Sequence, residues 1–312
     1  MNGVEKVGVK TAWARVRVEV RDALELVLLP GLAALLPWGV CFALFRRMAH
    51  WRWLYRETCE RALVEAQQRG VVGDDVRAAA RWLHERRLVT LVDHADLYLS
   101  RWRSDDWMRH WLRVQGDWPP SSSGPGVLCT FHYGAGMWGL RHAARAGLRA
   151  HKLVAPLTEG MFNGRTVMKW YAHARLREVE RALGRPFIAV AGSLRAVLRT
   201  LEQGEQVLAV IDVPADQVSA SEPITLLGMQ ARAPRGLLRV AVEHRVPVTV
   251  YITLLNVKTG RRTLRIEQVD SGGNIASTEE LMVRVFAHLE HLMQRDTAAW
   301  HFWSEAPRFF VR

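Results

Sequence analysis

The chain has 312 residues, enough for one large domain or a core with an appended subdomain. It carries 43 Lys+Arg against 31 Asp+Glu, a formal net charge of +12 with arginine in excess, which favours phospholipid headgroups, an acidic carrier protein or phosphorylated substrates as partners. Three cysteines without metal-ligand spacing (Cys41, Cys59 and Cys129) argue against a disulfide framework or a zinc module, and the lack of a Lys/Arg block or a recognisable motif argues against nucleic acid.

Residues 10–25 read as an amphipathic helix, with Trp13, Val16, Val18 and Val20 among basic residues. Residues 26–45 contain no charge, about the length a helix needs to cross a bilayer, but Pro30-Gly31 and Pro37 interrupt them. Arginines flank both ends: Arg15, Arg17 and Arg21 before, Arg46, Arg47, Arg52 and Arg56 after. Cations on both sides fit a segment that lies in the interface or dips in and returns, with both flanks cytoplasmic; a buried core helix is the other reading. Tryptophan beside arginine, frequent here, suits headgroup depth. Residues 51–115 read as charged and helical, with Asp74-Asp75 as a helix cap. Residues 1–118 are thus expected to form a helical, membrane-associating part.

The Pro/Ser/Gly stretch 119–126 is the clearest punctuation, and residues 127–312 follow it as an α/β domain. Strands are expected at 127–131, 151–155, 186–190, 206–211, 224–227, 247–255 and 262–269. Helices are expected at 137–147, 164–183, 192–203, 233–245 and 278–296. This alternation predicts a mainly parallel central sheet covered by helices, with ligands beyond the carboxyl ends of the strands.

Two candidate residues end such strands, His132 and Asp212. A short apolar strand runs into His132, and Tyr133-Gly134-Ala135-Gly136-Met137 then leads into a helix. A neutral imidazole there can take a hydroxyl proton near pH 7. The small residues leave room for a substrate, and amides at the helix start can hold an oxyanion or phosphate. Two other histidines, His173 and His291, have an acid five residues on (Glu178 and Asp296), but inside charged helices, where a solvated face is the simpler reading.

The run His132-Tyr133-Gly134-Ala135-Gly136-Met137-Trp138 resembles the histidine block of the bacterial lauroyl/myristoyl lipid A acyltransferases and their lysophospholipid-acyltransferase-like relatives. Residues 198–204 followed by Val207-Leu208-Ala209-Val210-Ile211-Asp212, residues 224–236, Val246-Pro247-Val248-Thr249-Val250 and Trp300-His301-Phe302-Trp303 resemble later blocks of that family in the same order. The resemblance implies acyl transfer from an acyl carrier protein or coenzyme A thioester to a hydroxyl of a lipid-like or secondary-metabolite acceptor, without a metal or redox cofactor. It implies His132 as general base, Asp212 as an acid after its strand and Arg165 as a phosphate or carbonyl ligand. Tyr133, Gly134, Gly136 and Met137 would then face the substrate. The family carries an acid where this chain has Met137. Three readings follow: another acid, Asp212 or Glu159, serves; His132 works alone; or the site only binds, with Met137 a soft wall against an acyl or aromatic group. The last makes the chain a lipid-binding or complex-forming relative.

Overall fold

The computed structural model describes residues 13–120, 124–190, 194–218 and 220–311. It is a mixed α/β structure around a mostly parallel seven-stranded sheet. The expectations for residues 1–12 lie outside the described residues.

Helix α1 covers residues 13–35, with a π-helical turn at Ala23–Leu28 just before Pro30. Proline has no N–H to offer the carbonyl four residues back and crowds it, and a wider turn relieves this. The freed Leu26 carbonyl accepts the Tyr98 hydroxyl instead, at 2.8 Å. Leu36, ahead of Pro37, is extended and ends the helix, and α2 (Trp38–Met48) restarts in a new direction. The uncharged segment is therefore two short helices. Ala33, Trp38, Cys41, Phe42 and Phe45 are buried, and Leu28, Leu35 and Val40 are exposed. Among the described residues no helix is long and apolar enough to cross a membrane.

Helix α3 (Arg56–Gln68) is followed by the long α4 (Val76–Trp102), which Asp75 caps by accepting the Ala78 N–H at 2.8 Å. Helix α5 (Asp105–Trp111) runs directly into β1 (Leu112–Gln115). The α/β part then adds β2 (Gly126–Thr130), α6 (Met137–Arg145), β3 (Ala150–Val154), α7 (Thr166–Leu183), β4 (Ile188–Ala189), α8 (Leu194–Glu202) and β5 (Gln206–Val210). A hairpin of β6 (Ser221–Leu226) and β7 (Met229–Pro234) follows. After it come α9 (Gly236–Glu243), β8 (Val248–Leu255), β9 (Arg262–Asp270) and α10 (Thr278–Arg295).

The sheet order is β1-β9-β8-β2-β5-β3-β4, parallel throughout except for β8 with β9. Strand β2 is central and wholly buried, which accounts for its unbroken apolar run. Strand β1 pairs with β9, so residues before the 119–126 stretch supply one edge of the sheet. The helical part is also tied in by a buried ion pair between Asp96 of α4 and Arg262 of β9. The Arg262 guanidinium lies 4.6, 5.5 and 5.9 Å from the rings of Trp38, Trp138 and Trp107. Several of the chain's tryptophans thus enclose an interior cation. Trp51 and Trp53 do stand out at the surface, stacked on each other at 5.5 Å.

Candidate functional site

In the β2–β5 register Thr130 lies opposite Val210, so His132 and Asp212 are each the second residue beyond a paired position. Two adjacent parallel strands that stop at the same level therefore deliver a histidine and an aspartate side by side. Asp212 Oδ1 is 2.9 Å from His132 Nδ1. The same carboxylate accepts the His132 backbone N–H at 2.8 and 3.0 Å and the Trp300 indole N–H at 2.8 Å. Asp212 is 1% exposed at its side chain and His132 is 35% exposed. In a neutral imidazole a carboxylate acceptor at this position places the ring proton on Nδ1 and leaves the lone pair on Nε2, which has no partner among the described residues. Phe302 packs its ring edge-on against the imidazole, with centroids 4.2 Å apart.

His132 borders a cavity of about 570 Å³ with mainly apolar walls, including Val154, Leu176, Val197, Ile211, Leu237 and Phe302. It lies beyond the carboxyl ends of β2, β3 and β5, where ligands of open α/β sheets bind. A somewhat larger hollow of about 670 Å³, lined by Arg265, Glu267, Arg284, His288 and His291, sits beside β9 and α10. It holds no member of the His132–Asp212 pair, and its charged rim suits bulk water better than an apolar ligand.

The C-terminal segment holds the histidine in place. The His301 N–H donates to the His132 carbonyl at 2.8 Å, and its Nε2 lies 2.9 Å from the Gly134 carbonyl. Burial lowers the His301 imidazole to about 4, so it is a neutral strut. Arg86 of α4 closes this loop by donating to the Ala298, Trp300 and His301 carbonyls at 3.1, 2.7 and 2.8 Å. The quoted Trp300-His301-Phe302 run contains these parts, but nothing in its spacing from His132 assigns their roles.

The other sequence candidates sit elsewhere. Tyr133 is buried, and its hydroxyl donates to the Asp296 and Leu292 carbonyls at 2.8 and 3.2 Å. Gly134 adopts φ of +64° against the backbone of Thr253. The amides of Gly134 and Ala135 donate to Ala299 and Thr253 at 3.0 and 2.9 Å, so neither is free for an oxyanion. Gly136 caps α6 and has open space around it. Met137 is 2% exposed in the core, and none of these four residues lines the cavity. Arg165 forks onto the buried Asp22 at 2.6 and 2.8 Å, which raises its pKa further. It therefore anchors α1 to the start of α7. Glu159 is exposed and pairs with Lys169, and Glu178 bonds Ser100 and Arg181. Of the two proposed replacement acids, the structure brings only Asp212 to His132.

Lys152 of β3 also borders the cavity, a residue that the sequence does not single out. Burial lowers its amine to about 8, the Arg175 charge adding to this and Asp93 opposing it. Among the described residues, no group of three or more His, Cys, Asp or Glu is placed to hold a metal ion. No protein-family model matches the chain, and no curated protein matches it.

Proposed function

We propose that the protein is an O-acyltransferase with His132 as general base and Asp212 as its orienting acid. It would take the acyl group from an acyl carrier protein or coenzyme A thioester. The observation that carries this reading is an imidazole held at Nδ1 by a buried carboxylate, with a free Nε2 beside an apolar cavity. In the reaction an acceptor hydroxyl gives its proton to Nε2 as its oxygen attacks the thioester carbonyl. The C–S bond breaks, and the departing thiolate recovers the proton from the imidazolium. Asp212 stabilises the imidazolium between these steps. The apolar cavity suits an acyl chain.

The acceptor would be a lipid-like or secondary-metabolite hydroxyl at the cytoplasmic face of the inner membrane. The net positive charge, the stacked Trp51 and Trp53 and the exposed Leu28, Leu35 and Val40 support attachment to anionic lipid. The sequence resemblance to the lipid A acyltransferases points the same way, and Met137 is no obstacle once Asp212 is the acid.

The test is thioester turnover by the full chain in detergent, with acyl carrier protein and coenzyme A donors. Turnover is expected to vanish in His132→Ala and to fall about 10²–10⁴-fold in Asp212→Asn, where the wrong imidazole tautomer is favoured. A parent that consumes no thioester, yet binds lipid as well as His132→Ala does, would make the site a binding site.

A further inference from the structure

The cavity has a charged position far from His132. In the β3–β5 register Lys152 lies opposite Leu208, and in the β2–β5 register Leu128 also lies opposite Leu208. Lys152 is thus two strands across and level with a residue four positions before His132. At about 3.3 Å per residue and about 4.8 Å per strand, their α-carbons are on the order of 16 Å apart. Both border the same hollow.

Lys152 is half-buried, and among the described residues it makes no hydrogen bond and no ion pair. Its charged neighbours, Asp93 and Arg175, are bound to each other at 2.7 Å. The other two fixed cations of the cavity, Arg235 and Arg239, are paired with Glu222 and Glu243. Among the described residues Lys152 is therefore the one lining cation without an ion-pair partner, in a chamber whose walls are mainly apolar. A lone ammonium there is disfavoured by desolvation, whereas a methionine of similar length would fill the space without that cost. A ligand with an oxygen acceptor at the right depth removes the penalty.

We propose that Lys152 reads the distal end of the acyl chain, selecting acyl groups that carry a hydroxyl or carboxylate at the end remote from the thioester. The thioester lies at His132 and the apolar walls hold the methylenes between. This rests on the acyl-transfer reading of the His132 site and adds a substrate class to it.

Matched chains test it. Dodecanoyl, 12-hydroxydodecanoyl and 11-carboxyundecanoyl thioesters, each of twelve carbons, are compared for turnover, and the corresponding methyl esters for equilibrium binding, in the parent, Lys152→Met and Lys152→Arg. The parent is expected to favour the ω-oxygenated chains about 10- to 100-fold, as a hydrogen bond to a charged group allows. Lys152→Met abolishes or inverts that preference while still binding the plain chain, which also shows that it is folded. Lys152→Arg retains it. No preference in the parent overturns the proposal. So does an equal loss on all three chains in Lys152→Met, which would place the amine at the thioester. If no thioester is consumed at all, the acyl-transfer reading fails, but the ester binding still reports on Lys152.

Discussion

At the scale of single residues, the acid beside His132 comes from a neighbouring strand, as the 1% exposed Asp212, and not from the helix that follows. Met137 is a core residue, 2% exposed at the start of α6. Met137→Glu would place a carboxylate in that core without a partner. It is expected to lose about 3–5 kcal/mol of stability and to gain no activity. Chemical denaturation with a parallel turnover assay checks both halves, and a stable, faster variant would return the acid to position 137. His132 and Asp212 were each legible in the sequence as polar residues ending apolar runs. Their pairing stood only as one of several alternatives, because choosing Asp212 over Glu159 depends on β2 and β5 being neighbours, and strand order leaves no local mark in the chain. Lys152 was illegible for the same reason: its meaning comes from which strands enclose the cavity.

At the scale of elements, the local pattern carries further. All seven expected strands and all five expected helices of the α/β part are present, with ends shifted by a few residues. Two strands were missed. In β1 only Leu112 is buried, so no alternation marks it. Strand β7 returns from β6 through Leu227 and Gly228, both with positive φ, and a leucine in that position hides the turn. The same backbone logic governs the loop that presents His132. Gly134 has φ of +64°, and a β-carbon there would collide with the Thr253 carbonyl oxygen. Gly134→Ala is expected to cost about 2–4 kcal/mol, combining left-handed strain with overpacking. Because Gly134 also receives His301 and donates to Ala299, the loop should shift and turnover fall with stability. Gly136→Ala, which meets open space, is the matched control and should leave the melting temperature within a few degrees of the parent.

At the scale of the whole molecule, buried titratable groups in the helical N-terminal part and in the C-terminal segment tie stability to pH. His94 of α4 lies 3.0 Å from the Tyr55 hydroxyl, and that hydroxyl donates to the Glu25 carbonyl at 2.7 Å. The Glu25 carboxyl accepts the Tyr55 N–H at 2.6 Å. Burial lowers both His94 and His301 to about 4, and it raises Glu25 to about 7. The two histidines are neutral in the fold, so their contribution is complete above the unfolded value of 6.5 and is lost as pH falls toward 4. Glu25 acts in the opposite sense: its contribution is complete below 4.5 and is lost as pH rises through about 7. Between pH 4.5 and 6.5 the two histidines make the unfolded chain bind more protons than the fold, while Glu25 and Asp96, which burial raises to about 6, do the reverse. Removing the Glu25 titration should therefore make stability fall more steeply on acidification, by up to about 1 kcal/mol per pH unit. Urea midpoints measured from pH 7 to pH 5 check the sign. Glu25→Gln, which keeps the acceptor for Tyr55 but removes the opposing titration, should steepen the dependence. A Glu25→Gln slope equal to that of the parent would show that the buried Glu25 carboxyl does not titrate in this range.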